Sequence, residues 1–381
     1  MKVYSKSINI YNVLNPNHSL ISTFSPHLGW DEVKNAKSYA ILMIDHEAAG
    51  VVGLSFVHWG IFNIKDNFIA ENSSILKDKN YFQIENSLSI KPQNPILDHN
   101  YLKINANMYT GPFPPDQDHV YICRVFALDF EDVSDYWDTT KPMYIGDFWE
   151  IINDHTIDQG VLTFSSPQAY IEDNINYQKE ASTHGLFYVY NEHDEISTLK
   201  VNIKDMLVDE NIYYLSKPYY FDDETIQKTN FKISTPQIKI KNPKNIKEYA
   251  IFIYDSNSFD EWGLVTNEYC CLGIKAQNSD WTLLNKDDLI KADKNKIFIK
   301  NSYYNHSQIP EKIKKLFQLK NHSWSLFKSK KMASSEKFHW MEIYALDQKI
   351  IDKDKINDIA DAYRHIKNKV IAEKIIRFKL K

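Results

Sequence analysis

The chain has 381 residues, of which 43% are hydrophobic, with 8 Trp, 24 Tyr and 20 Phe against only 10 Gly and 13 Pro. This excludes a disordered or collagen-like polymer, because the apolar surface to bury is ample and glycine is too sparse for low complexity. The formal net charge of −5 conceals a split: residues 1–190 carry 12 Lys and Arg against 23 Asp and Glu, and residues 191–381 carry 33 against 27, giving −11 and +6. The two halves present fields of opposite sign. No run approaches the roughly 20 apolar residues of a membrane-spanning helix. Met1–Phe24 lacks the apolar core and small-residue cleavage site of a signal peptide, so the expected location is cytoplasmic. Cys123 stands alone and Cys270 and Cys271 are adjacent, which gives neither a disulfide framework nor a zinc spacing. The abundance of Lys, Asn and Ile with little Gly and Arg is the usage of AT-rich bacterial genomes.

In chain order, Ser38–Ile44 is an apolar run closed by Asp45, as in a buried strand that ends at a loop. The loop that follows opens with Asp45, His46 and Glu47, and a second strand-like run begins at Phe56-Val57-His58-Trp59. Tyr109–Pro115 is a loop in which Gly111 permits close backbone approach and Pro112, Pro114 and Pro115 stiffen the path. It leads into the strand His119–Leu128. After the polar stretch Ser165–Ser182 the chain begins again: Tyr249–Tyr254 is an apolar run closed by Asp255, and Phe338–Leu346 is a further strand. Pro310 opens a short helix through Ile313, Leu316 and Phe317. Ile356, Ile359, Tyr363, Ile366 and Val370 predict an amphipathic helix capped by Asp352 or Asp354.

The second series repeats the first. Pro26, Ala40 and Asp45 meet Pro236, Ala250 and Asp255 at a constant offset of 210, and Phe126–Asp129 meets Tyr344–Asp347 at 218. A later stretch returns to 210, with His155 over His365. Collinear blocks of this kind predict a tandem duplication, with residues 1–175 as one domain and 176–381 as a degenerate second copy.

Asp45, Glu47, His58, His119 and Tyr121 are the residue types of an anion pocket, since an imidazolium held by acidic neighbours binds phosphate or carboxylate. Three other readings of the same residues stand beside it: structural hydrogen bonding, a metal site, and acid–base hydrolysis of a phosphoester or glycoside by His58 and His119. Trp59 and Tyr121 suit a core as well as a ligand contact. No nucleophile elbow, phosphate loop or dinucleotide glycine pattern occurs, and the Lys-rich stretches read as solvated faces, so nucleic acid is not an expected partner.

In order along the chain, SPHLGW, KSYAI, DHEAA, HW, YTGPFPP and HVYICRVFALD resemble the phosphatidylethanolamine-binding protein family, including its bacterial Raf kinase inhibitor-like members. The resemblance covers about residues 20–165. It implies a mostly β, α+β fold: a β-sandwich-like core with flanking helices and a small anion pocket, used for phosphorylated head groups or side chains, in binding and in kinase or protease inhibition. It implies no metal and no cofactor. Position by position, Asp45 and Glu47 match the family's acidic loop, His58 and Trp59 its His-Trp pair, Gly111, Pro114 and Pro115 its Gly-x-x-Pro-Pro loop, and His119 and Tyr121 its His-x-Tyr. His46, Ala49 and Val120 depart from the pattern, and Glu47 stands where the family has the shorter Asp.

In the second copy Asp255 keeps its place, whereas Asn257 stands under Glu47, Glu268 under His58, Tyr269 under Trp59 and Lys337 under His119. The expectation is a retained fold with a lost or rebuilt pocket. The functional expectation is a non-enzymatic binding and regulatory protein for a small anionic ligand. The alternative is a protein-interaction or inhibitor-like pseudo-dimer that meets its partner through residues 176–381.

Overall fold

The computed structural model describes residues 1–19, 22–76, 80–89, 106–168, 197–209, 212–222, 232–256, 264–291, 293–302, 324, 326–328, 338–367 and 369–381. It is mostly β with few helices. Among the described residues no helix is long and apolar enough to cross a membrane. The chain divides into two compact units, the first made of Met1–Val51, Ser55–Tyr190 and Asp260–Leu264, the second of Val52–Leu54, Asn191–Phe259 and Val265–Lys381. The junction expected near residue 175, the helix expected from Pro310, and Asn257 and Lys337 lie outside the described residues.

In the first unit four strands run antiparallel: β1 (Ser38–Asp45), β2 (Ser55–Ile64), β3 (His119–Leu128) and β4 (Thr156–Ser166). Their order is β2-β1-β3-β4. Every residue of β1 and β3 is buried, as the continuous apolar runs demand of strands covered on both faces. Tyr39, Ile41 and Met43 of β1 and Cys123, Val125 and Ala127 of β3 share a core with Val3, Leu28, Trp30 and Ile69. Those four come from a small antiparallel sheet in which Leu28–Trp30 lies between Val3–Tyr4 and Phe68–Ile69. The alternate residue Phe126 meets Phe148 and Trp149 of helix α1 (Ile145–His155). One face of β3 therefore serves the second sheet and the other the helix, the period-2 division of a strand.

The second unit has the corresponding set: β5 (Glu248–Asp255), β6 (Leu264–Lys275), β7 (His339–Leu346) and β8 (Val370–Leu380), ordered β6-β5-β7-β8, with α2 (Ile359–Ile366) before β8. A small sheet is again present, with Ile238–Lys241 between Val201–Ile203 and Trp281–Leu284. The antiparallel pair Met206–Asp209 and Ile212–Leu215 extends the edge beyond β8.

Helix α2 is shorter than its apolar spacing predicts. Its cap is Asp358, whose side chain accepts from the Asp361 N–H, and not Asp352 or Asp354; Val370 already belongs to β8. The register of the later segments also differs from the expected 210. His155 C=O accepts from the Asp129 N–H, and the Asp347 N–H donates in the same way to the C=O of Lys369, four residues beyond His365.

Candidate functional site

The first unit's site is built at the end of β1. Asp45 closes the strand and is fixed by the Ala48 N–H, which donates to Oδ1 at 3.0 Å. Its other oxygen, Oδ2, accepts from His119 Nδ1 at 2.8 Å, and both side chains are almost fully buried. His119 Nε2 donates to Asp116 Oδ1, also at 2.8 Å. The imidazole is clamped between two carboxylates. A third, Glu47, accepts the Val120 N–H through Oε1 at 3.1 Å, so the extra methylene carries its carboxylate to the backbone of β3.

His58 enters by a different device. The β1–β2 register slips between Met43↔Trp59 and Ile44↔Val57, leaving His58 as the bulged residue. A bulge re-aims a side chain. Trp59 packs into the core and donates its indole N–H to Gln83, while His58 meets Tyr121 edge to face at 5.1 Å. His58 Nδ1 donates to Thr110 C=O at 2.8 Å, and the Thr110 N–H returns a bond to His58 C=O at 3.0 Å. The ring is thereby the Nδ1–H tautomer with Nε2 as its acceptor face.

The loop that carries Thr110 needs glycine for a steric reason. A Cβ on Gly111 would stand 2.5 Å from the His18 carbonyl oxygen and 3.0 Å from Ser19. Pro114 is buried beyond it, Pro115 is exposed, and Pro115 C=O accepts from the Gln168 side chain.

The two histidines have opposite electrostatics. Burial pushes His58 down to about 4, opposed only in part by the Asp45 charge and the Thr110 bond. Burial also works against a charge on His119, but the Asp45 charge, the hydrogen bonds to Asp116 and Asp45, and the Glu47 charge override it and raise the ring to about 10. Asp45 in turn loses to burial but gains more from the His119 cation, and its carboxyl is held below the usual range. At neutral pH the site is one cationic ring among three carboxylates beside one neutral ring. Burial pushes the Cys123 thiol to about 12, which removes a thiolate from the chemistry available in this sheet.

The structure thus brings Asp45, Glu47, His58, His119 and Tyr121 together, sets Gly111 and Pro114 in the adjoining loop, and turns Trp59 into the core. Tyr121 is shared, touching His58 on one side and stacking on Phe164 at 5.8 Å on the other. Sequence reasoning missed Asp116. Its signal was its place three residues before His119 at the end of a proline-stiffened loop.

The second unit holds a different cluster in the corresponding place. Asp255 closes β5, and Glu268 occupies the bulge between Ile253↔Tyr269 and Tyr254↔Asn267. His339 pairs with Asp255 across the β5–β7 ladder. His339 Nδ1 lies 2.8 Å from Glu268 Oε2 and 3.7 Å from Asp255 Oδ1. Sequence alignment at offset 218 places Lys337 under His119 and His339 under Tyr121, so the histidine of this strand stands two residues further along than in the first unit.

The sequence profile of the family described as phosphatidylethanolamine-binding protein matches residues 9–166, the segment that carries the His119 cluster. Among solved structures, a phosphatidylethanolamine-binding protein homolog from Chlamydia trachomatis is 19% identical at a TM-score of 0.34, over 43% of this chain and 95% of that one. E. coli YbcL, described as a member of the mammalian family, is 20% identical at 0.34, over 43% and 96%. The phosphatidylethanolamine-binding protein of Plasmodium vivax is 11% identical at 0.23, over 50% and 90%. No curated protein matches the chain.

Proposed function

We propose, starting from the match of residues 9–166 to the phosphatidylethanolamine-binding protein family, that the first unit binds a small ligand bearing a phosphate or carboxylate, with the outer N–H of His119 as its principal donor. One observation carries this reading. A chain carboxylate, that of the exposed loop residue Asp116, lies 2.8 Å from Nε2 of a buried cationic imidazole. The donor is already engaged by an anion, and Asp116 stands in for the ligand's oxygen. An incoming phosphate exchanges with Asp116, gaining the charged N–H of His119, while the acceptor face of His58 suits a hydroxyl or ammonium group of the same ligand.

The same electrostatics support binding over turnover. Acid–base catalysis works best with groups poised near the working pH. A base near 4 and an acid near 10 are far from that condition.

Calorimetry and NMR titration with inorganic phosphate, phosphoethanolamine and nucleotides test the reading. Saturable heats and backbone amide shifts around the site are expected in the wild type and neither in the His58→Ala, His119→Ala double variant. Equal responses in the two proteins overturn it.

The duplication is also ours to propose. The bulges at His58 and Glu268 recur 210 residues apart. The left-handed residues Asn35 and Asn245 do so as well, and Asn63 corresponds to Gly273. The slip at Ala127/Leu128 corresponds to that at Ala345/Leu346. A protein-interaction role for the second unit draws support from its edge hairpin, where Leu207 and Val208 are 52% and 63% exposed. Replacing both with Lys in the full chain is expected to abolish a copurifying partner. Unchanged copurification would speak against this surface.

A further inference from the structure

The pocket reading leaves Asp255, Glu268 and His339 without a role. They are 1%, 0% and 2% exposed, and their candidate donor atoms all lie within 4.8 Å of one another. Two carboxylates and a histidine sunk this deep are costly unless an interaction of matching strength compensates them. The geometry differs from that of the first unit in one decisive respect. Around His119 the two carboxylates contact opposite ring nitrogens, so their oxygens cannot converge with either nitrogen on a common centre. Around His339 both carboxylates face the same nitrogen, Nδ1. The exchange of His58 for Glu268 at the bulge, with the histidine of the third strand two residues further in, produces that convergence.

We propose that Asp255, Glu268 and His339 form a binding site for a divalent transition-metal cation of the Zn2+ class, held by one oxygen from each carboxylate and by Nδ1. Donors placed about 2.0–2.2 Å from a tetrahedral Zn2+ stand about 3.3–3.6 Å apart. The separations of 2.8 and 3.7 Å from His339 Nδ1 bracket this range, and the two carboxylate oxygens lie within 4.8 Å of each other. The imidazole selects a borderline cation over Mg2+ and Ca2+, which take oxygen ligands. Three protein ligands leave a fourth position open. The His339 ring is held by stacking on Phe378 of β8 at 5.6 Å, and the backbone that carries Asp255 is held by Thr266 Oγ1, which donates to Asp255 C=O at 3.1 Å. The cation would join β5, β6 and β7 at their shared end.

The test uses the full chain, stripped with a chelator, exchanged into metal-free buffer, loaded with Zn2+ and desalted. About one Zn2+ per chain is expected by elemental analysis. Glu268→Gln and Asp255→Asn are each expected to retain less than about a tenth of it. Excess Mg2+ or Ca2+ is expected not to displace it. X-ray absorption of the loaded wild type is expected to show one imidazole and otherwise oxygen neighbours. That measurement decides the matter if a variant fails to fold. No retained Zn2+ in the wild type, full retention in folded variants, or a shell of two or more imidazoles overturns the proposal.

Discussion

His119 and His58 belong to one site and are oppositely tuned, and the cause lies in what each ring nitrogen touches. The contrast fixes a pH profile. His119 holds its proton to about 10 in the folded chain, against an ordinary value of 6.5. Its contribution is fully present below 6.5 and is lost as pH rises through about 10. His58 has the opposite sign: its folded value is about 4, so the unfolded chain binds the extra proton between about 4 and 6.5 and stability falls as pH drops through that window. Denaturant midpoints measured from pH 4 to 10 are therefore expected to peak near 6.5. The His119→Asn protein is expected to lose the alkaline slope and keep the acidic one. An unchanged alkaline slope contradicts the assignment. Asp116 acts on affinity. Replacing it by Ala removes a competing charge from the outer N–H, and phosphate binding by calorimetry is expected to tighten about fivefold, the equivalent of roughly 1 kcal/mol for a partly exposed ion pair. Weaker binding in that variant would mean that Asp116 helps to hold the ligand and does not stand in for it.

At the scale of elements, the site depends on backbone irregularities more than on strand content. The bulge at His58 lets a residue next to the core aromatic Trp59 reach the Tyr121 side. The Gly111 loop passes close against His18 and Ser19. Gly111→Ala is expected to cost about 1–3 kcal/mol, the usual price of overpacking against backbone. It should also weaken phosphate binding, because Thr110 next to it orients His58; a variant with unaltered melting temperature and affinity counts against this role. In the second unit, Asp358→Ala removes the cap of α2 and is expected to cost about 1 kcal/mol by chemical denaturation. The strands β1, β3, β5 and β7 were legible in the sequence as mostly apolar runs, interrupted inside β3 by the buried Arg124 and inside β7 by the buried Glu342. The bulges were not, since one extra residue in a ladder leaves no trace in hydrophobic alternation. The helix cap was misplaced by the same kind of shortfall: Asp352, Asp354 and Asp358 all have capping side chains, and only the register of β8 selects among them.

For the whole molecule, residues 1–190 carry −11 and residues 191–381 carry +6. The anion pocket we propose belongs to the acidic side, so long-range repulsion opposes an anionic ligand and the local donor must overcome it. Raising the concentration of an inert salt screens that repulsion within a Debye length of about 8–10 Å. The association rate of phosphate is thus expected to rise with ionic strength, the reverse of a steered encounter; a steep fall in stopped-flow measurements would contradict this. Asp45, Glu47, His58 and His119 were readable as a set because the family pattern orders them along the chain. Asp116 was not, because it lies three residues before the position that the pattern singles out, and His339 was not, because it stands under Tyr121 in the repeat and only folding brings it to Glu268 and Asp255. The central claim is that His119 is a cation exchanging a chain carboxylate for a ligand anion. Nitrogen-15 NMR of the histidine rings of the full chain, with and without inorganic phosphate at pH 7, tests it most directly. Two N–H protons are expected on His119 and one on His58, with phosphate shifting the His119 Nε2 resonance saturably; a neutral His119, or a doubly protonated one that phosphate leaves unmoved, would contradict the claim.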